Sequence, residues 1–359
     1  MEQEEKQVKI GFFKKWYTYQ KERFPVVVFL FYTLCIVIGT LILTSFCLGY
    51  GSMDFIHNII TDEQKKIFID NPEFIIDSKI LIRMIIMLVC GFLQFLMVRI
   101  VDEFKDYEED CKYRPYRPVP RGLISLTELK GLFAICFITQ ILLTYFFGGD
   151  FFALALLWVI FFLMTKSFFI KKILDKHLIL EVILDELMMP AMIIYLSSFL
   201  FEYDKVWNLL LNQYVHDGGY YMRHINDIEF ASKVQFMFIA FLLLSYFCSC
   251  IAEVARKIRS KDKEENGVKT YTAVFGIPKA TLLLSVLEIC AFACQYVILG
   301  EMRNIILFVA LAIPLFSNIM FNIKPIYKAS KMVELSGNLY IAFSYLSMAM
   351  LYSGFKFII

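Results

Sequence analysis

Charge is scarce in this chain of 359 residues: Asp, Glu, Lys and Arg make up 19%, against 59% apolar residues. A balance that poor in charge excludes an ordinary soluble domain. Nine cysteines include no CxxC pair, and most fall inside apolar runs, where cysteine acts as a small apolar residue. Cys290 and Cys294 share a helical face, which alone indicates neither a metal nor a redox site. Histidine is rarer still, four in all, and the stretch with His216, Asp217 and His224 has no metal-ligand spacing. The net charge of +2 points to no particular partner and gives no indication of nucleic acid.

What the chain has instead is long runs nearly free of charge. Nine of them approach the ~20 residues needed to cross a bilayer: 24–50, 80–101, 127–147, 150–166, 178–201, 231–254, 280–299, 303–323 and 337–355. Backbone groups find no partners in lipid, so each is expected to be a helix. The expected fold is therefore an all-α, multi-pass membrane protein. Lys and Arg gather in the N-terminal segment and in the loops after spans two, four, six and eight, which orients the N-terminus to the cytoplasm and the C-terminus to the opposite side. No signal peptide is expected before the first span. Residues 1–23 interleave six Lys/Arg with Phe12, Phe13, Trp16 and Tyr17, the pattern of an amphipathic segment on an anionic leaflet or of a plain positive anchor.

Span two ends in "VRIVDEFKDYEEDCKYRPYRPVPRG". On a continuous helix Asp102, Asp106 and Asp110 form one stripe. Like charges so spaced repel, and anions at a helix C-terminus oppose its dipole. A divalent cation would relieve both, and an all-oxygen ligand set suits Mg²⁺. Lys105, Arg114, Arg117 and Arg121 lie close by in sequence, on a loop stiffened by Pro115, Pro118 and Pro120. Guanidinium forks match phosphate oxygens, so the stretch reads as a diphosphate site at the membrane surface. A salt-bridged loop obeying the positive-inside rule is the alternative.

After span six, "EVARKIRSKDKEENGVKTYTAVFG" repeats the layout: Glu253 at a helix end, then Arg256, Lys257 and Arg259, then Asp262, Glu264 and Glu265. The recurrence suggests two related halves, about 80–201 and 231–355, within one transmembrane domain spanning 24–359. With DxxxDxxxD, "RPVPRG" and "GVKTYTAVFG", the chain from Lys21 to the last span resembles the UbiA superfamily of intramembrane prenyltransferases. The resemblance implies nine helices around a central cavity open to lipid, an isoprenyl diphosphate donor held through Mg²⁺, and a lipophilic or aromatic acceptor. It carries metal binding to Asp102, Asp106 and Asp110, and a diphosphate contact to Lys166 near the end of span four.

The chain departs from the superfamily at its second DxxxD motif. Glu253 stands at the first position and Lys257 at the second, and the loop that follows is longer. Either Glu253 remains a metal ligand while Arg256, Lys257 and Arg259 bind diphosphate, or Asp262, Glu264 or Glu265 folds back, or the donor differs. Within span five, Glu181 and Asp185 lie one turn apart in an apolar run, and ionisable groups there face a cavity or a partner. Glu288, Gln295, Asn318 and Asn322 are expected to bond helix to helix. A terpene cyclase or a phosphoribosyl-diphosphate transferase would use the same rim. A transporter of divalent cations or solutes would place its acids nearer the midplane.

Overall fold

A computed structural model of the chain describes residues 11–51, 73–76, 78–200, 225–265, 268–299, 305–351 and 354–357. Most of the acidic loop 51–79 and the stretch holding His216, Asp217 and His224 lie outside the described residues. The architecture is all-α, as expected. In chain order the helices are α1 (Phe12–Arg23), α2 (Val26–Gly51), α3 (Ser78–Lys105), α4 (Tyr107–Tyr113), α5 (Leu126–Phe146) and α6 (Phe151–Thr165). Then come α7 (Leu178–Asp185), α8 (Met188–Ser197), α9 (Ile225–Arg256), α10 (Tyr271–Phe275), α11 (Ile277–Leu299), α12 (Ile305–Ile323) and α13 (Tyr327–Leu346). A short parallel pairing joins Glu73–Ile76 to Gly354–Phe357.

Among the described residues six helices are long and apolar enough to cross a membrane: α2, α3, α5, α9, α11 and α12. The other three of the nine expected spans do not meet that description. The fourth, α6, has only 15 residues. The fifth is broken into α7 and α8 around Glu186 and Leu187, and Pro190 follows in the first turn of α8, where it removes no helical hydrogen bond. The ninth, α13, begins with Lys328, Lys331 and Glu334 in its first turns, which lowers its hydropathy.

Packing closes these helices into a ring. α2 lies against both α3 and α13; the circuit continues from α3 to α6, then through α8, α9, α11 and α12 back to α13. Gly39 is one reason α2 and α13 approach so closely: an added Cβ there would stand 2.9 Å from the backbone oxygen of Tyr345. Backbone cannot yield as a side chain can, so Gly39→Val is expected to destabilise the protein by about 1–3 kcal/mol. A lowered midpoint of thermal unfolding in detergent checks this; an unchanged midpoint would mean that the helices separate freely.

The polar residues expected to bond between helices do so. Asn318 Nδ2 donates to Glu288 Oε2 (2.9 Å), Asn322 Nδ2 to Thr281 Oγ1 (2.6 Å) and Gln295 Nε2 to Ser347 Oγ (2.7 Å). At one end of the ring, α1 is docked and not free. Its Tyr19 is buried with Ile100, Val119, Ile124 and Leu129, and Lys15 Nζ meets Glu128 Oε1 at 2.6 Å. Glu128 also completes a capping box with Ser125 that starts α5.

Candidate active site

At the end of the ring carrying α1 and α4 lies a cavity of about 400 Å³, walled by α3, α4, α7, the end of α9 and the loops after α4 and α9. The helix of the first motif bends in the middle of it. Asp106 has φ −95° and ψ 0°, outside the helical range, and separates α3 from α4. The ladder nevertheless continues, with Asp106 N–H bonded to Asp102 O (2.9 Å) and Asp110 N–H to Asp106 O (2.8 Å). The three aspartates thus run along one cavity on a helix that is bent at Asp106 and not straight.

They also divide by role. All three line the cavity, Asp102 and Asp106 half-buried and Asp110 buried. The Asp102 side chain is 39% exposed, with Arg99 Nη1 3.7 Å away. Burial, then the negative charge of Asp110, push the Asp106 carboxyl above its ordinary pKa. Asp110 is only 3% exposed and sits among cations: Arg117 Nη1 at 2.5 Å, Arg114 Nη1 at 3.4 Å and Arg23 Nη2 at 3.8 Å. Behind it, buried Glu103 accepts from Arg23 Nε (2.6 Å) and Arg99 Nη2 (2.8 Å). Part of the acidic excess of the motif is thus neutralised by protein cations. The helix ends where Arg114, before Pro115, leaves the α region with φ −138° and ψ 52°.

The second cluster faces the first. Glu253, in the last turn of α9, is held by Arg256 Nη2 (2.5 Å) and Lys257 Nζ (2.6 Å). Burial works against the Lys257 ammonium, but the adjoining Glu253 carboxylate outweighs it and raises its pKa. Beyond α9 two of the three acidic loop residues, Glu264 and Glu265, fold back onto protein groups. Glu264 accepts from the hydroxyls of Thr270 (2.7 Å) and Thr272 (2.7 Å), and Thr270 caps α10. Glu265 bridges Arg114 Nε (2.9 Å) and Arg259 Nη1 (2.8 Å), so the two motif loops are tied across the mouth. Burial alone would raise the Glu265 carboxyl; hydrogen bonds from Arg259 and Arg114 prevail and hold it below its ordinary value.

The floor comes from the broken fifth helix pair. Glu181, Asp185 and Glu186 reach the cavity, where the buried Asp185 Oδ1 has no hydrogen-bond partner. Glu186 accepts from the Ser249 hydroxyl of α9. Lys105, Arg114, Arg117, Arg256, Lys257 and Arg259 all line this cavity. Arg121 turns instead to Glu22 (2.9 Å) and to the Tyr116 carbonyl (2.9 Å), and Lys166 lines a different cavity. Arg23, Arg99, Asp175 and Lys269 belong to the wall without having been singled out in the sequence. Lys269 Nζ donates to the Asp175 carbonyl (2.7 Å).

The sequence model of the UbiA prenyltransferase family matches residues 76–332, the segment carrying both clusters. The chain belongs to the UbiA prenyltransferase family. It is accordingly a multi-pass integral membrane protein whose class of reaction is prenyl transfer. Its fold is similar to a solved structure of digeranylgeranylglyceryl phosphate synthase, with a TM-score of 0.54 and 15% identity, covering 94% of this chain and 98% of that one. No curated protein sequence matches it.

Proposed function

We propose that the chain is a Mg²⁺-dependent prenyltransferase that ionises an isoprenyl diphosphate and passes the prenyl group to a lipophilic or aromatic acceptor, with the site on the cytoplasmic side. The observation that carries this reading is the charge balance of the cavity wall, where nine acidic side chains meet nine basic ones. Most of the cations already have partners: Arg114 and Arg117 on Asp110, Arg256 and Lys257 on Glu253, Arg259 on Glu265. A diphosphate entering alone would leave such a wall strongly negative. Divalent cations arriving with it restore the balance.

The residues fit that group. Among the described residues no three acidic, histidine or cysteine side chains form a ready-made cage. Magnesium does not require one, since it is commonly held by one or two carboxylates and completed by substrate phosphates and water. Asp102 and Asp106 would hold it. When bound, Mg²⁺ supplies neutralisation of charge on the leaving diphosphate. Lys105, Arg256 and Lys257 contribute further donors to the phosphate oxygens. Below the charged rim, Val98, Met164, Leu178, Val182 and Met188 offer an apolar wall that suits an isoprenyl tail and excludes water from a carbocation. That wall suits a sugar poorly, which favours the isoprenyl donor over phosphoribosyl diphosphate. The buried, unpartnered Asp185 Oδ1 supports assigning to it the receipt of the acceptor's proton.

The test is release of diphosphate by the purified protein, with and without Mg²⁺, across isoprenyl donors of different length. Metal-dependent release with at least one donor is expected. Flux of a divalent ion across vesicles with no diphosphate release from any donor would replace this reading with transport.

A further inference from the structure

A second cavity, about 810 Å³, lies between α3, α5 and α6. It shares one residue, Lys105, with the charged cavity. Its walls are otherwise apolar and aromatic, Phe133, Phe137, Trp158 and Phe162 among them, apart from Thr165 and Lys166. Among the described residues no carboxylate lines it. The aromatic wall is fixed: Trp158 stacks on Phe137 with ring centroids 3.9 Å apart, and its indole N–H donates to Gln140 Oε1 (3.1 Å). The faces of α5 and α6 around it, such as Ile135, Val159 and Phe162, are exposed in the isolated chain and would meet lipid.

The two lysines stand at one end of this cavity, since Lys105 closes α3 and Lys166 follows the last residue of α6. Lys166 is held there by an unusual turn. Ser167, Phe168 and Phe169 have φ of 48°, 52° and 60°, three successive left-handed residues and none of them glycine. Lys166 N–H still bonds back to Phe162 O (3.2 Å), and Phe169 N–H to Lys166 O (3.0 Å), so the chain reverses directly at the lysine. A lysine that only anchored a helix end would need neither this turn nor a hollow beneath it.

We propose that this cavity is a binding site for an anionic membrane phospholipid, its chain against Trp158 and Phe137 and its headgroup between Lys105 and Lys166. The charge pattern decides the class of ligand. Two cations over an apolar slot without a carboxylate select an amphiphile of negative head, and a zwitterionic lipid would bring a like charge to the lysines. Apart from Lys105, which stands between the two cavities, the site lies outside the cavity assigned to the donor, and so goes beyond the function proposed above.

Trp158 is its own reporter. The full chain with Trp16→Phe and Trp207→Phe retains Trp158 as its one tryptophan, the sequence having three. It is reconstituted without donor or metal into phosphatidylcholine vesicles containing a low fraction of chain-brominated lipid. Brominated phosphatidylglycerol is expected to quench Trp158 several-fold more than brominated phosphatidylcholine at the same fraction, with the difference shrinking at high salt. Lys166→Gln should abolish the difference and Lys166→Arg should keep it, which separates loss of charge from loss of fold. Equal quenching by the two lipids, or selectivity that survives in Lys166→Gln, would overturn the proposal. So would displacement of the anionic lipid by an isoprenyl diphosphate in the absence of Mg²⁺, which would make the cavity a passage for the donor's tail. Because neither catalysis nor metal enters the measurement, its failure is distinct from failure of the prenyltransferase reading.

Discussion

Asp102→Asn and Asp106→Asn are each expected to cut Mg²⁺-dependent diphosphate release by on the order of 10²-fold or more, while the protein keeps its thermal midpoint. The reason lies in what each carboxylate touches. Asp102 is partly exposed on the cavity wall, and its nearest cation is 3.7 Å away. Asp106 stands at the bend between α3 and α4, with its pKa pushed up by burial and by Asp110, as expected of an anion still short of positive charge. Neither residue is the sole partner of a buried cation, so replacing it by the isosteric amide strands nothing. The loss should appear in turnover and in the Mg²⁺ concentration needed for half-maximal rate. Full activity in both variants would remove the metal from this wall.

The all-α, multi-pass architecture was legible in the chain, because lipid imposes a length and a charge rule on any span; the count of nine was not, since six of the described helices are long and apolar enough to cross. The interhelical partners of Glu288, Gln295 and Asn318 were legible for a related reason: a polar side chain in lipid has few options besides another helix. What stayed hidden was set by contacts distant in sequence. Glu103 looked like one more repelling carboxylate beside Asp102, but Arg23, eighty residues earlier, and Arg99 take its charge. Glu264 and Glu265 were candidates to replace a missing ligand; they do fold back, onto two threonines and two arginines. Spacing along one helix assumes that the helix is straight, and Asp106 shows where that assumption ends. Lys166, matched by resemblance to a diphosphate contact, lines the second cavity, and the three left-handed residues that follow it are announced by no local sequence pattern.

The third aspartate of the motif leads to an opposite expectation. Asp110→Ala should lower the stability of the folded protein by about 3–5 kcal/mol, because a buried ion cluster that loses one partner leaves uncompensated charge behind. The three arginines around it do not lose equally. Arg23 keeps Glu103 and Arg114 keeps Glu265, so Arg117, whose Nη1 lies 2.7 Å from one Asp110 oxygen and 2.5 Å from the other, is the cation left stranded. It follows that Arg117→Ala should partly rescue Asp110→Ala, a coupling that thermal unfolding of the two single variants and the double variant in detergent would measure. Equal destabilisation of Asp110→Ala with and without Arg117 would mean that the cluster does not act as a unit. An Asp110→Ala protein with an unchanged midpoint and no Mg²⁺-dependent turnover would return this carboxylate to the metal site, beside Asp102 and Asp106.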